Sequence, residues 1–159
     1  MTSTEPATTT QVLQAWLRQY AGYPNTSTVV PELDEWADSP GFWVRIAGVV
    51  GGQSGMYVPD RGPIVQVETY AANRAAAGAT SASRKIPRGR AEQAMTGICN
   101  ATFQFAAGLA LTLPSLMKPV WIETIYPVSE VRELPDPAPN VARYSADIFV
   151  GWIERDPVG

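Results

Sequence analysis

The chain has 159 residues, 45% of them hydrophobic and 17% charged, with a formal net charge of −3, which suits one domain-sized core and excludes a disordered, charge-dominated chain. It contains no histidine and a single cysteine, Cys99, so a Ser/His/Asp triad, a Cys/His pair and histidine- or cysteine-rich metal sites have no residues to be built from. An isoelectric point near 4.9 argues against long-range attraction of the whole protein to nucleic acid.

In chain order, "MTSTEPATTT" lacks the basic start and apolar block of a secretion signal, and residues 1–8 read as a short tail of a protein kept in a reducing cytosol. Thr8 followed by Gln11 reads as a capping box, and Val12, Leu13, Trp16, Leu17 and Tyr20 recur at helical spacing up to Gly22, which predicts a helix over 9–21. A short extended piece is expected at Thr28–Val30, then an acidic loop carrying Glu32, Asp34, Glu35 and Asp38. "FWVRIAGVV" (42–50) and "PIVQVETYA" (63–71) alternate as strands of a long hairpin, with Arg45 opposite Val44 and Ile46, and Gln66 and Glu68 opposite Val65 and Val67.

A long helix is predicted over 89–112 from the stripe Ala91, Met95, Ile98, Thr102, Phe105 and Leu109, with Pro114 as its stop. Its apolar part around Phe103–Leu113 is broken by Gln104 and Thr112 and is too short to cross a bilayer. "PVWIETIYPV" (119–128) and "RYSADIFVGWIE" (143–154) read as two more strands, joined by the proline-rich "ELPDPAPNVA". The expected architecture is α+β: a single domain over 9–154 in which a mostly antiparallel sheet of four to five strands packs on two helices, with a C-terminal tail at 155–159.

The last two strands carry apolar side chains on both faces. Ile148, Val150 and Trp152 are opposed by Phe149 and Ile153, and Val120, Ile122 and Tyr126 by Trp121 and Ile125. Two helices do not cover both faces of such a sheet, so Trp121, Ile125, Phe149 and Ile153 are candidates for a subunit interface, with curling of the sheet as the alternative.

The remaining motifs point away from catalysis. "GVVGGQSG" (48–55) lacks the lysine and the following helix of a phosphate loop, and Ser54 lacks the second glycine of a nucleophile elbow. Cys99 falls in an apolar helical pattern and reads as a small core residue. The acidic group does not match a calcium-loop spacing and reads as a solvated loop or a docking surface. Glu68, Glu123 and Asp147 each sit on the polar side of a strand, with no pair marked out for acid/base work. No enzyme activity, cofactor or metal is expected. The segment from Arg74 through Arg84, Lys85 and Arg88 to Arg90 has five basic residues and no acidic one. It reads as an exposed basic loop over 73–89; without aromatic stacking residues it is a weak nucleic-acid signal.

Taken together, "WVRIAGVVGG", Asp60 and Arg61, "PIVQVETYA", the alanine-rich helix and above all "VRELPDPAPNVARYSA" leading into the last strand resemble the tail terminator proteins of long-tailed, siphovirus-type actinobacteriophages, over about residues 9–154. The resemblance implies a small α/β structural protein of the virion. Such a protein would be made in the bacterial host cytoplasm and assembled as a hexameric ring on the head-proximal end of the tail tube. There it stops tube polymerisation and presents a surface to head-completion or neck proteins. Its implied partners are further copies of itself, the tail tube protein and the neck proteins, with DNA met only by passage through the lumen and no membrane contact. The basic link over 73–89 departs from the family pattern, which has only a short link there, and in a ring it would project toward the tail tube or into the lumen. A head-completion or neck adaptor, and a small nucleic-acid-binding module using residues 74–90, are the alternatives.

Overall fold

A computed structural model describes residues 6–37, 41–53, 60–72, 85–113, 119–135 and 141–154. Helix α1 (Thr9–Trp16) starts at the predicted capping box, with the Thr8 hydroxyl accepting from the Gln11 backbone and the Gln11 side chain accepting from that of Thr8. It continues through a π-helical turn (Leu17–Ala21) to Gly22, so Val12, Leu13, Trp16 and Leu17 line one fully buried face. Strand β1 (Thr26–Ser27) and helix α2 (Leu33–Trp36) follow, then the hairpin β2 (Phe42–Gln53) and β3 (Asp60–Ala72). Helix α3 (Lys85–Gln104) precedes β4 (Leu109–Leu111), β5 (Val120–Pro127), β6 (Arg132–Leu134) and β7 (Val141–Glu154).

The expected sheet of four to five mostly antiparallel strands on two helices is corrected by this arrangement. Seven strands form one curled, mixed half-barrel sheet with three helices, and 46% of the described residues are strand against 31% helix. The order is β1-β2-β3-β7-β5-β4, with β6 also on β7, and the sheet is mixed because β1 runs parallel to β2. Strands of two or three residues are too short to show an alternation in the sequence; pairing recruits them. The curl follows from register shifts in the long strands, between Ile46 and Gly48, Val49 and Gly51, and Ile122 and Thr124, since each extra residue bends a strand and increases its twist.

Strand β7 is the centre of the sheet. Its one edge pairs with β3 over most of its length, and its other edge pairs with β6 at Arg143–Ser145 and with β5 from Ile148 to Glu154. Helices α1 and α3 cover one face, where Val44, Ile46, Val65, Val67, Ala146, Ile148, Val150 and Trp152 join Leu13, Trp16, Met95 and Ile98 in the main core. At the open end of that core Glu154 accepts from the Ala7 backbone and pairs with Arg61 at 3.2 Å, and the Arg61 guanidinium lies 4.5 Å over the Trp152 ring.

Two predicted segments, one helix and one loop, turn out differently. The helix expected over 89–112 starts earlier, at Lys85, and stops at Gln104. The Trp16 indole donates to the Phe105 carbonyl and the Ile125 backbone to that of Ala106, and Gly108 turns the chain at φ 70° into β4. The spacing of Phe105 and Leu109 fits a helix, but Leu109 and Leu111 equally alternate as a strand. The acidic loop contains α2, whose first turn holds Asp34 and Glu35 at the helix end that favours negative charge and which is anchored by Trp36, 2% exposed.

The bulge in β5 decides which of its side chains are interior. It puts Ile125, 1% exposed, into the main core with Val120 and Ile122. Ile125→Ala is therefore expected to lower stability by about 3 kcal/mol, as a buried large-to-small change does. Val50→Ala, on the exposed stretch of β2, is expected to shift it by less than about 0.5 kcal/mol; urea unfolding of the two variants checks both.

Candidate protein interface on the second sheet face

On β3 the residues Val65, Val67, Thr69 and Ala71 point to the helices, so Ile64, Gln66, Glu68 and Tyr70 point the other way. Register then aligns rows across three strands on this second face. Trp43, Tyr70 and Arg143 form one row; Arg45, Glu68 and Ser145 the next; Gln66 and Asp147 follow, and then Ile64 and Phe149, which continues onto Tyr126 of β5.

Each end of this face is apolar and the middle is ionic. At one end α2 closes a small cluster of Trp36, Ala37, Ala72 and Val141, packed with Val30, Leu33, Trp43 and Tyr70. In the middle Glu68 is 1% exposed and Ser145 fully buried. The Glu68 carboxylate accepts from Arg45 at 3.0 Å, from the Tyr70 hydroxyl at 2.8 Å, from Gln66 at 3.3 Å and from Arg143. Arg143 also lies 5.6 Å over the Tyr70 ring. Burial by itself would raise the Glu68 pKa; hydrogen bonds from Arg143 and Tyr70, the charge of Arg143 and the bond from Arg45 outweigh it and hold the carboxyl below its ordinary value. Burial, followed by the Glu68 hydrogen bond, raises the Tyr70 phenol.

At the other end lies an aromatic strip. Phe149 stacks on Tyr126 with ring centroids 4.9 Å apart, and it lies over Gly62, where a Cβ would come within 2.9 Å of the ring. Trp121 and Ile153 are directly paired in register beside it. Trp121 is 37% and Tyr126 45% exposed, while Phe149 and Ile153 are half-buried.

Of the interface candidates read from the sequence, the structure brings Trp121, Phe149 and Ile153 together and replaces Ile125 with Tyr126. A simple alternation along β5 puts Ile125 on the outer face; the extra residue at the bulge turns it inward. Among the basic candidates Arg74 and Arg84 lie outside the described residues, and Lys85 opens α3 with a side chain that is likewise not described. Arg88 belongs to the first turns of α3, where it donates to the Tyr144 hydroxyl at 3.1 Å and pairs with Glu133 at 3.0 Å. Arg90 is exposed further along the same helix. The residue that sequence reasoning undervalued is Glu68. Its signal was available as opposite charges on the polar sides of the two hairpin strands, Arg45 and Glu68, which a paired register makes direct neighbours. No known family model matches this chain, and no curated protein matches its sequence.

A carboxyl whose folded-state pKa is lowered adds stability above its unfolded value, about 4.3 for glutamate, and that contribution is lost as pH falls through the folded value. Acidification below about pH 4.3 is thus expected to destabilise the wild type more steeply than Glu68→Gln, read as urea midpoints across a pH series. Glu68→Ala, which leaves Arg45 and Arg143 facing each other, is expected to lose about 3 kcal/mol at neutral pH.

Proposed function

We propose that this chain is a structural virion protein of the tail terminator kind: a ring subunit, hexameric in the assembled particle, that caps the tail tube, ends its polymerisation and offers the head its attachment surface. The observation that carries the reading is the aromatic strip of Trp121, Tyr126, Phe149 and Ile153. Among the described residues it lies on a sheet face that the helices leave open beyond α2, with the β5 bulge setting which side chains face out and Gly62 lying beneath the Phe149 ring. A half-exposed aromatic surface of this kind suits a protein contact, where aromatic anchors carry much of the binding energy. The sequence resemblance supplies the rest: the order of elements, the ending "VRELPDPAPNVARYSA" and the role of a ring between tube and neck.

In this reading the strip faces a neighbouring subunit, the tail tube protein and the neck proteins meet the two ends of the ring, and DNA is met only in passage. The engagement of Arg88 with Glu133 and Tyr144 gives that cation a structural task, so charge reversal aimed at the basic segment belongs on Arg84 and Lys85.

Equilibrium mass and negative-stain images of the purified protein, alone and with tail tube protein, test the proposal. Rings that cap tube ends are expected, and Trp121→Glu is expected to abolish them while leaving the far-ultraviolet circular dichroism unchanged. A wild-type protein that stays monomeric and leaves tube ends bare overturns the reading.

A further inference from the structure

Helix α3 carries an aromatic knob towards one end and an aromatic-lined pocket towards the other. Phe103 is 76% exposed, well above Tyr126 and Trp121, the other exposed aromatics among the described residues. Near the start of the helix Arg90, Gln93 and Ala94 combine with Tyr23 and Phe42 to line an open surface depression of about 330 Å³. Its two rings meet edge to face, 6.0 Å apart at 76°. A benzene ring fits in about 150 Å³, so this open depression, with both polar and apolar lining, has room for a phenyl group.

Phe103 does not reach this pocket within its own chain, because it stands about 15 Å further along the same helix from Gln93 at ~1.5 Å per residue. The charges favour another copy of α3 as the donor. Its last turn holds no basic residue, so the carbonyl end next to Phe103 keeps its partial negative charge. The pocket is bordered by the Arg90 guanidinium, which attracts both that helix end and an aromatic face.

We infer that Phe103 of one copy inserts into the Tyr23, Phe42, Arg90, Gln93 and Ala94 pocket of the next, joining successive copies through α3 head to tail. The knob and the pocket are different patches of one surface, so the contact is heterologous: each copy offers a knob on one side and a pocket on the other, and the series closes as a ring or runs on as a filament. The inference rests on the ring reading for closure only. The contact is on the helical layer and is separate from the aromatic strip of the sheet.

Disulfide trapping tests it. In a Cys99→Ser background, one chain carries Gln93→Cys at the pocket rim and another carries Asn100→Cys, one turn from the knob and with Phe103 intact. Mixed and mildly oxidised without tail tube protein, they are expected to give the 93–100 heterodisulfide several-fold over either homodisulfide. Adding Phe103→Asp to the Asn100→Cys chain is expected to remove that preference, with circular dichroism unchanged. Absence of cross-linking, statistical proportions of the three products, or indifference to Phe103→Asp overturns the contact. Trapping that succeeds while tube ends stay bare sinks the terminator reading alone, and capping without trapping sinks this contact alone.

Discussion

The structure is governed by the fact that a long sheet has two faces and that α1 and α3 cover one of them. The covered face is a continuous apolar core in which Trp16, Trp152, Ile148 and Met95 are fully buried. Everything on the other face is a local answer to the same constraint. Where segment 30–37 folds back, α2 supplies an apolar cover anchored by Trp36. In the middle, where β2, β3 and β7 run side by side, the cover is ionic. Beyond it the aromatic strip is left half-exposed among the described residues.

The ionic middle also explains why the strands keep their register. Glu68 binds side chains from both neighbouring strands, Arg45 on β2 and Arg143 on β7. A slip of β3 by one residue turns Glu68 into the core beneath α3 and brings Val67 and Thr69 outward, which strands a carboxylate among apolar side chains and exposes core residues. A buried ion pair contributes little net stability compared with apolar packing, because desolvation offsets much of its attraction. In the observed alignment of the three strands the carboxylate is satisfied from both sides, and a one-residue slip loses this. The same register sets which side chains make up the aromatic strip.

Much of the element order was legible in the residues. The capping box of Thr8 and Gln11, the alternation of 42–50 and 63–71, and the apolar runs of 119–128 and 143–154 report local preferences that the fold leaves intact. The interface candidates Trp121, Phe149 and Ile153 were legible for the same reason, since apolar side chains on both sides of a strand are visible without knowing its partners. Illegible were features decided by pairing at a distance: β4 and β6, which exist because β5 and β7 offer edges, and the end of α3, where Trp16 and Ile125 take the carbonyls of Phe105 and Ala106.

The sequence by itself determined the hairpin, the amphipathic first helix, the two-sided apolar character of the last strands and the cationic run that extends into the start of α3, because each is written in the chemistry of residues adjacent in the chain. Only the tertiary structure decided that Ile125 is interior and Tyr126 exterior, that Glu68 is a buried junction and not a solvated strand residue, and that Arg88 is held by Glu133 and Tyr144. Those outcomes depend on a one-residue bulge and on strand register. Neither leaves a local mark, because both are set by which distant groups satisfy one another once the sheet has closed.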